Sequence, residues 1–408
     1  MWQKIEKSKG LLYNCGMKKE MFNQSLYELE HADIFSKVTA KLRAYKAEHP
    51  EAEVISLSIG DVSRPIVKPI IEAMHQAVDD LSSYENFRGY GGYYGFDFLR
   101  EAVLEHEYLK YGFSKEEIYI SNGTKTDTTS ILEMFDHDCR ILIGNPMYPI
   151  YRDGAKAMGR KVFETGCDEE YKMLIPQERY DIIYLCSPSN PVGNAYNREE
   201  LSRWIEYAKN NGSVILLDNV YKAFVQSQDV PESIYELEGS KQTCIEFRSF
   251  SKQASFTSMR CSYYVVPKEL HADINLYWDK RTMNRFNGAD YVAQKGALAS
   301  YLPQAQKEIK ENIAYYQENA RIIRQSLEEL GFKVQGGIDA PYMWVETRDN
   351  LTGWQMFDFL LNELQIAVVP GEIFGTNGIH HIRLSALGRR EDQKKALERL
   401  KKYYEEKA

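Results

Sequence analysis

Nowhere in this 408-residue chain do two cysteines stand close enough to form a CxxC pair, although six are present: Cys15, Cys139, Cys167, Cys186, Cys244 and Cys261. That spacing excludes the usual zinc and dithiol redox motifs, and no metal is expected. Cationic excess is lacking too, since 51 Lys and Arg against 59 Asp and Glu leave a formal net charge of −8. A nucleic-acid partner, which needs a dense cationic surface, is not expected. No apolar run approaches the roughly 20 residues of a membrane helix. The N-terminal "MWQKIEKSKGLLYNCGMKKEMFNQ" scatters its charge and has no sustained apolar stretch, so no leader is read there. A cytoplasmic chain with reduced thiols and no membrane partner is the expectation. Repeats and low-complexity tracts are absent, and 43% hydrophobic residues exclude a mostly disordered chain. The length suits one large α/β unit or two domains.

What the chain does have is a rhythm. Short apolar runs, "EEIYISNG", "DCRILIGNP", "DIIYLCSP", "GSVILLDN" and "TCIEFRSFS", each end in Gly, Pro, Asn, Asp or Ser, with helical patterns between most of them. Such alternation predicts a mostly parallel sheet covered by helices, with a ligand at the carboxyl ends of the strands. Residues 1–50 read as an arm and a helix that belong to a small domain. Residues 51–300 read as the large domain, and 301–408 as a small α+β domain built from "APYMWVET", "AVVPG", "HHIRLSAL" and charged helices.

The unusual residues collect at the strand ends. "RSFSKQASFTSMR" sets Lys252 among hydroxyls, with Arg260 eight positions on. A lysine becomes a covalent catalyst when its amine forms a Schiff base with a carbonyl cofactor. Pyridoxal phosphate would further need a phosphate cradle, an acid for its pyridine nitrogen and a group against its ring. "SNGTKTDT" offers backbone amides at Gly123, Thr124 and Lys125, and Ser249, Ser251 and Arg260 add donors. A small Ser/Gly/Thr loop also reads as an ordinary helix cap. Asp218 closes the apolar "ILLD", where a buried carboxylate wants a cation or simply opens the next turn. Tyr221 and Asn190 are donors for a ring oxygen, and Tyr148 in "NPMYPIY" is an aromatic that can stack or pack.

In this order "SNGTK", "NPMYPIY", "SPSNPVG", "LDNVY", "SFSK" with its arginine, and "IRLSALG" resemble the class I/II aminotransferases that bind pyridoxal phosphate on the fold-type-I scaffold. "LSIGD", "RGYGGYYG", "RTMNRFNGA", "DAPYMWV" and "PGEIFG" look most like the LL-diaminopimelate aminotransferase group, and the likeness runs from about residue 30 to the C-terminus. The resemblance implies a large domain with a mostly parallel seven-stranded sheet and a smaller α+β domain. By it, Lys252 is the Schiff-base lysine and proton shuttle, Asp218 the pyridinium partner, Tyr148 the stacking ring, and Asn190 and Tyr221 donors to the ring oxygen. Gly123, Thr124, Lys125, Ser249, Ser251 and Arg260 match the phosphate cup. Tyr90 matches a tyrosine that reaches the neighbouring subunit's phosphate, which implies a homodimer with shared active sites. Arg383 matches the arginine that grips the substrate α-carboxylate through paired hydrogen bonds, and Gly60 lets the chain approach that carboxylate.

Two positions depart from the group. Tyr93 stands in the glycine-tyrosine loop where the group carries a glutamate, and Arg64 stands where another is usual. A substrate with a distal ammonium would lose its partner there, while a distal carboxylate or aromatic group would be better received. Lys125 and Asn287, which resemble distal-group contacts, remain. The expected activity is an aminotransferase working by ping-pong half reactions between an L-amino acid and a 2-oxo acid, with glutamate and 2-oxoglutarate as one pair. LL-diaminopimelate aminotransferase proper, and a fold-type-I lyase or carbon–carbon-bond-forming enzyme, are the alternatives. A binding protein that has lost catalysis fits poorly with Lys252, Asp218 and Arg383 all in place.

Overall fold

In the computed structural model, which describes residues 21–29, 34–58 and 60–406, two sheets and two apolar cores organise the chain. The arm expected at the N-terminus lies mostly outside the described residues. A short strand β1 (Ile55–Ser56) is followed by the seven strands of the large sheet: β2 (Ile118–Ser121), β3 (Ile141–Gly144), β4 (Val162–Thr165), β5 (Ile182–Cys186), β6 (Val214–Asp218), β7 (Cys244–Ser249) and β8 (Ser262–Val265). Their spatial order is β2-β8-β7-β6-β5-β3-β4. Only β8 runs antiparallel, pairing with β2 on one side and β7 on the other. The seven-stranded, mostly parallel sheet is the expected one. The central strands are apolar without alternation because helices cover both faces: all five residues of β5 are buried. Each fully buried Ile or Leu there contributes roughly 1.5–3 kcal/mol of hydrophobic stabilisation.

Two strands of this sheet went unread in the sequence. β4, "VFET", is half-exposed along the edge of the sheet, and β8, "SYYV", follows the lysine loop without a turn signal of its own. The second matters most. Because β8 runs opposite to its neighbours, its first residue Ser262 lies level with Ser249 and Ser121, at the carboxyl ends of β7 and β2. Arg260, two residues earlier, is thereby brought to the same edge.

The second core surrounds a four-stranded antiparallel sheet of order β12-β13-β10-β9, formed by β9 (Val334–Gly336), β10 (Tyr342–Glu346), β12 (Val369–Pro370) and β13 (His381–Ser385); β11 (Ile366–Ala367) pairs in parallel with β1. The helix Pro303–Glu329 joins the two cores. Ala305, Ile309, Ile313 and Tyr316 pack in the large core, whereas Ala320, Ile323 and Leu327 pack in the small one. The large core gives way to the small one inside this helix, between Tyr316 and Ala320, and Ile55 and Leu57, expected in the large domain, belong to the small core with Val38 and Tyr45. The cores also meet at Gly193 (φ +83) and Gly336 (φ +79), where a Cβ on either residue would strike the other loop's backbone. Only glycine meets both demands, the left-handed conformation and the close approach.

Candidate active site

The order of the strands sets the order of the groups at their carboxyl ends. Thr124 follows β2, Arg260 precedes the antiparallel β8, and Ser249, Ser251 and Lys252 end or follow β7; β6 ends on Asp218; Asn190 follows β5 and Tyr148 follows β3. All of these, with Gly60, Lys125, Tyr221 and Arg383, line one cavity of about 390 Å³. Four cations, Lys125, Lys252, Arg260 and Arg383, face two carboxylates, Asp61 and Asp218, so the cavity favours an anionic ligand.

Lys252 sits in a short helix, Phe250–Gln253, whose cap is the Ser249 hydroxyl accepting from the Ser251 N–H at 3.0 Å. Its Nζ donates to the carbonyl of Gly60. Burial, aided by the charges of Arg383 and Arg260 and opposed by Asp61, lowers its pKa to about 8. A substantial neutral fraction at mildly alkaline pH is what a nucleophilic or proton-accepting amine requires.

Asp218 is the complementary case. Its Oδ2 accepts from the Tyr151 hydroxyl at 2.6 Å and its Oδ1 from the Val220 N–H at 3.3 Å. No ion pair among the described residues involves it, and burial raises its pKa to about 6 despite both hydrogen bonds. A cation entering the cavity at this carboxylate would reverse that shift. Tyr151 stacks on Tyr184 at 4.9 Å and meets Tyr148 edge-on at 5.7 Å.

Gly123 contributes in a different way from the expectation. Its N–H is committed to the Ser262 hydroxyl at 2.8 Å, so it does not face the cavity as an anion donor. Ser262 and Ser121 both donate to the buried Asp127 Oδ2, which fixes this corner. At φ +130 a Cβ on Gly123 would collide with the Arg260 guanidinium. The glycine makes room for that cation, and Arg260 is itself held in the left-handed region at φ +56. Thr124 and Lys125, the first helical residues after it, have N–H groups without an intrahelical acceptor.

Arg383, on β13, is 2% exposed. Its Nη1 donates to Asn190 Oδ1 at 2.8 Å and its Nη2 to the Ser58 carbonyl at 3.0 Å. The rings of Tyr342 and Phe374 lie 4.6 Å and 5.1 Å from its guanidinium carbon. Ser58 thus holds Arg383 and Gly60 holds Lys252. A Cβ at Gly60 would meet only Tyr342 Oη, at an ordinary 3.6 Å, so the surrounding protein does not itself demand glycine there.

Four expected residues do not line this cavity. Tyr90 is 91% exposed, Asn287 is exposed and Tyr93 half-buried. These three cluster, because Gly288 packs on the backbone of Gly91 and Gly92. Arg64 is drawn away by the helix Pro303–Glu329, donating to Asn312 Oδ1 at 3.0 Å and lying over the Tyr315 ring at 5.0 Å. Sequence reasoning missed Tyr151, Tyr342, Asp61 and Cys186, all in or against the cavity lining. Tyr151 was the most findable, standing three residues after Tyr148 at the start of a helix; Tyr342 reads as an ordinary core aromatic.

The family model described as "Aminotransferase class I and II" matches residues 52–400. An LL-diaminopimelate aminotransferase of Bacteroides fragilis is 41% identical over 405 residues, covering 93% of this chain and 99% of the relative. One of Bacteroides thetaiotaomicron is 41% identical over 407 residues, 94% and 99% of the two chains. The solved L,L-diaminopimelate aminotransferase from Chlamydomonas reinhardtii superposes with a TM-score of 0.89 at 34% identity, over 96% of this chain and 100% of that one.

Proposed function

Because the chain belongs to the class I and II aminotransferases and is a pyridoxal-phosphate-dependent transaminase, we propose that the cavity around Lys252 performs the transfer, with glutamate and 2-oxoglutarate as one substrate pair. The observation that carries this assignment of residues is the opposed pair of shifts in one cavity: an amine pushed down to about 8 and a carboxylate pushed up to about 6. Both are charges that a ligand must complete.

The residues fit pyridoxal phosphate. Thr124, Ser249, Ser251 and Arg260 would hold its phosphate, with the space for the guanidinium supplied by Gly123. Asp218, oriented by Tyr151, would take the pyridinium N–H, Asn190 and Tyr221 would donate to the ring oxygen, and Tyr148 would cover the ring. When bound, the cofactor supplies the carbonyl that captures an amino group and the ring that withdraws electrons from the substrate Cα. Lys252 is the amine that would hold the cofactor, and its Nζ is the base placed to accept the proton from the substrate Cα. Arg383 fixes the α-carboxylate and so presents the Cα–H bond to Nζ. The Tyr342 hydroxyl, which lines the same cavity, is hydrogen-bonded to that of Tyr221 at 2.8 Å.

For the distal end of the substrate, the cation of Lys125 at the cavity favours a carboxylate. Tyr93 adds a phenol where the related group has a negative charge, which favours a distal carboxylate or aromatic group over a distal ammonium. A second reading, LL-diaminopimelate as the amino donor, is favoured by the relatives at 41% identity. The exposed Tyr84, Phe87 and Tyr90, clustered with Tyr93 and Asn287 away from the chain's own cavity, support a homodimer in which this loop completes the partner's site. Free cysteines at 139, 167, 186, 244 and 261 support a cytoplasmic location; among the described residues no helix is long and apolar enough to cross a membrane.

A half-reaction screen tests these substrates. Cofactor-loaded protein is mixed with single amino acids while the cofactor's absorbance is followed, and the matching 2-oxo acid is added to reverse the change. Conversion by L-glutamate, with LL-diaminopimelate at least about tenfold slower in kcat/KM, is expected. Comparable rates for the two would establish the second reading, and product release without conversion of the cofactor to its amine form would move the enzyme to the lyases.

A further inference from the structure

Arg383 shares its strand with a second buried group that the transfer does not use. His381 stands two residues earlier on β13 and so projects to the same face. Its ring stacks on Trp344 at 5.1 Å and 6°, and its Nε2 is hydrogen-bonded to the hydroxyl of Tyr171 at 2.6 Å. Trp344 is the direct cross-strand neighbour of Arg383. Its ring meets Phe374 edge-on at 5.8 Å, and Phe374 is one of the two rings against the Arg383 guanidinium. A continuous series of ring contacts therefore runs from Tyr171 through His381, Trp344 and Phe374 to the arginine.

The far end of that series is supplied by a segment of the large sheet: Met173 of the same turn packs in the large core, while the Tyr171 ring packs against the small one. Tyr171 follows β4 in a turn closed by the bridge between Cys167 and Met173, and it is a non-glycine residue held at φ +61. Four hydrogen bonds pin the turn: Tyr171 N–H to the Asp168 carbonyl, Asp168 N–H to the Lys172 carbonyl, and Lys172 N–H and Glu170 N–H to Asp168 Oδ1. A left-handed tyrosine is conformationally costly, and such outliers persist where the surrounding structure demands the side chain. The near end is tied across the same junction, because the Phe374 carbonyl accepts from the Met147 N–H at 2.8 Å, beside Tyr148. Asn377 and Asn145 are also doubly hydrogen-bonded across it.

We propose that Tyr171 and His381 are positioning residues for Arg383: their hydrogen bond locks the aromatic series across the junction of the two cores and so holds the guanidinium at the angle the substrate carboxylate requires. The inference rests on Arg383 being that carboxylate's anchor. A carboxylate held by two parallel N–H bonds is sensitive to rotation of the fork, which a shift of Phe374 would produce. The loss should act on binding of any substrate with an α-carboxylate, before and during the chemical step alike, and so appear in KM.

Steady-state kinetics on a double-mutant cycle test it, with L-glutamate and 2-oxoglutarate as the probes. Tyr171→Phe, which removes one hydroxyl, is expected to raise KM for both by about fivefold with kcat within about twofold, the size of one lost hydrogen bond. His381→Phe keeps the stacking ring and should reproduce that shift, and the two together should add nothing further. Thermal unfolding of each variant checks that it has folded. In an Arg383→Lys background, which by itself raises KM, Tyr171→Phe should have no added effect. An equal KM shift from Tyr171→Phe in both backgrounds, or no shift in the native background, overturns the positioning role and leaves the anchor in place. If Arg383→Lys leaves KM unchanged, the anchor assignment itself falls, and this inference with it.

Discussion

Two groups of buried charge, one lining the cavity and one built around Glu246 and Arg248 of β7, are treated in opposite ways. In the cavity, Asp218 and Lys252 have few partners, and burial pushes the carboxylate up to about 6 and the amine down to about 8. In the other group, Glu246, Arg248, Glu107 and Lys222 satisfy one another. Arg248 Nη2 lies 3.3 Å from Glu246, and Lys222 lies 3.3 Å from Glu107. Glu246 also accepts from Tyr108, Ser233 and Asn219, and Glu107 from Tyr301. Burial would raise the Glu107 pKa, but Lys222 and Arg248 outweigh it and bring the value to about 2. Equal depth thus gives opposite shifts according to the partners supplied. A structural cluster completes its own charges, whereas a site leaves them for the ligand to complete.

Arg248→Met breaks the satisfied side and has the largest expected effect. It strands two buried carboxylates and should cost about 3–5 kcal/mol in urea unfolding, while KM for substrate in the folded enzyme stays near the native value. A loss below about 1 kcal/mol would show that the cluster is no better completed than the cavity.

Asp218→Asn should do the reverse. Its native carboxylate has a folded pKa near 6 against the ordinary 3.8, so the charged form is penalised at neutral pH and the penalty fades as pH falls through 6 towards 4. The variant should abolish transamination yet stabilise the cofactor-free protein by about 2–3 kcal/mol at pH 7.5, with the gain gone near pH 4. Glu107 has the opposite sign, its contribution being complete above about 4.5 and lost as pH falls towards 2. An Asp218→Asn protein less stable than native at pH 7.5 would contradict the contrast.

The sequence made the cavity's main residues legible because each stands where an apolar run stops: Asp218, Ser249 and Lys252 end or follow strands that are buried on both faces. It concealed groups whose position depends on partners distant in the chain. Arg260 itself was legible eight positions after Lys252, but not the antiparallel β8 that returns it to this edge, and Gly123 serves a guanidinium 137 positions away rather than an anion. Arg64 has the same spacing from Gly60 whether it faces substrate or helix, and only the packing of Asn312 and Tyr315 decides for the helix. The satisfied cluster was invisible, since Glu107 and Arg248 read as ordinary polar residues until β7 and the residue 104–111 segment are brought together.

The smallest expected effect lies in the rate at which cofactor-free protein captures pyridoxal phosphate. With the Lys252 amine titrating at about 8, that rate should rise about tenfold per pH unit up to that point and level off above it. A rise continuing past pH 10 would mean that the cavity does not lower this lysine.

The most direct measurement is borohydride reduction of the cofactor-loaded protein followed by peptide mass mapping. Two lysines line the cavity, Lys125 and Lys252. The account predicts the cofactor's mass on the peptide containing Lys252 alone, and none on the Lys252→Ala variant. Label on Lys125 in the native protein, or label persisting in the variant, would contradict it.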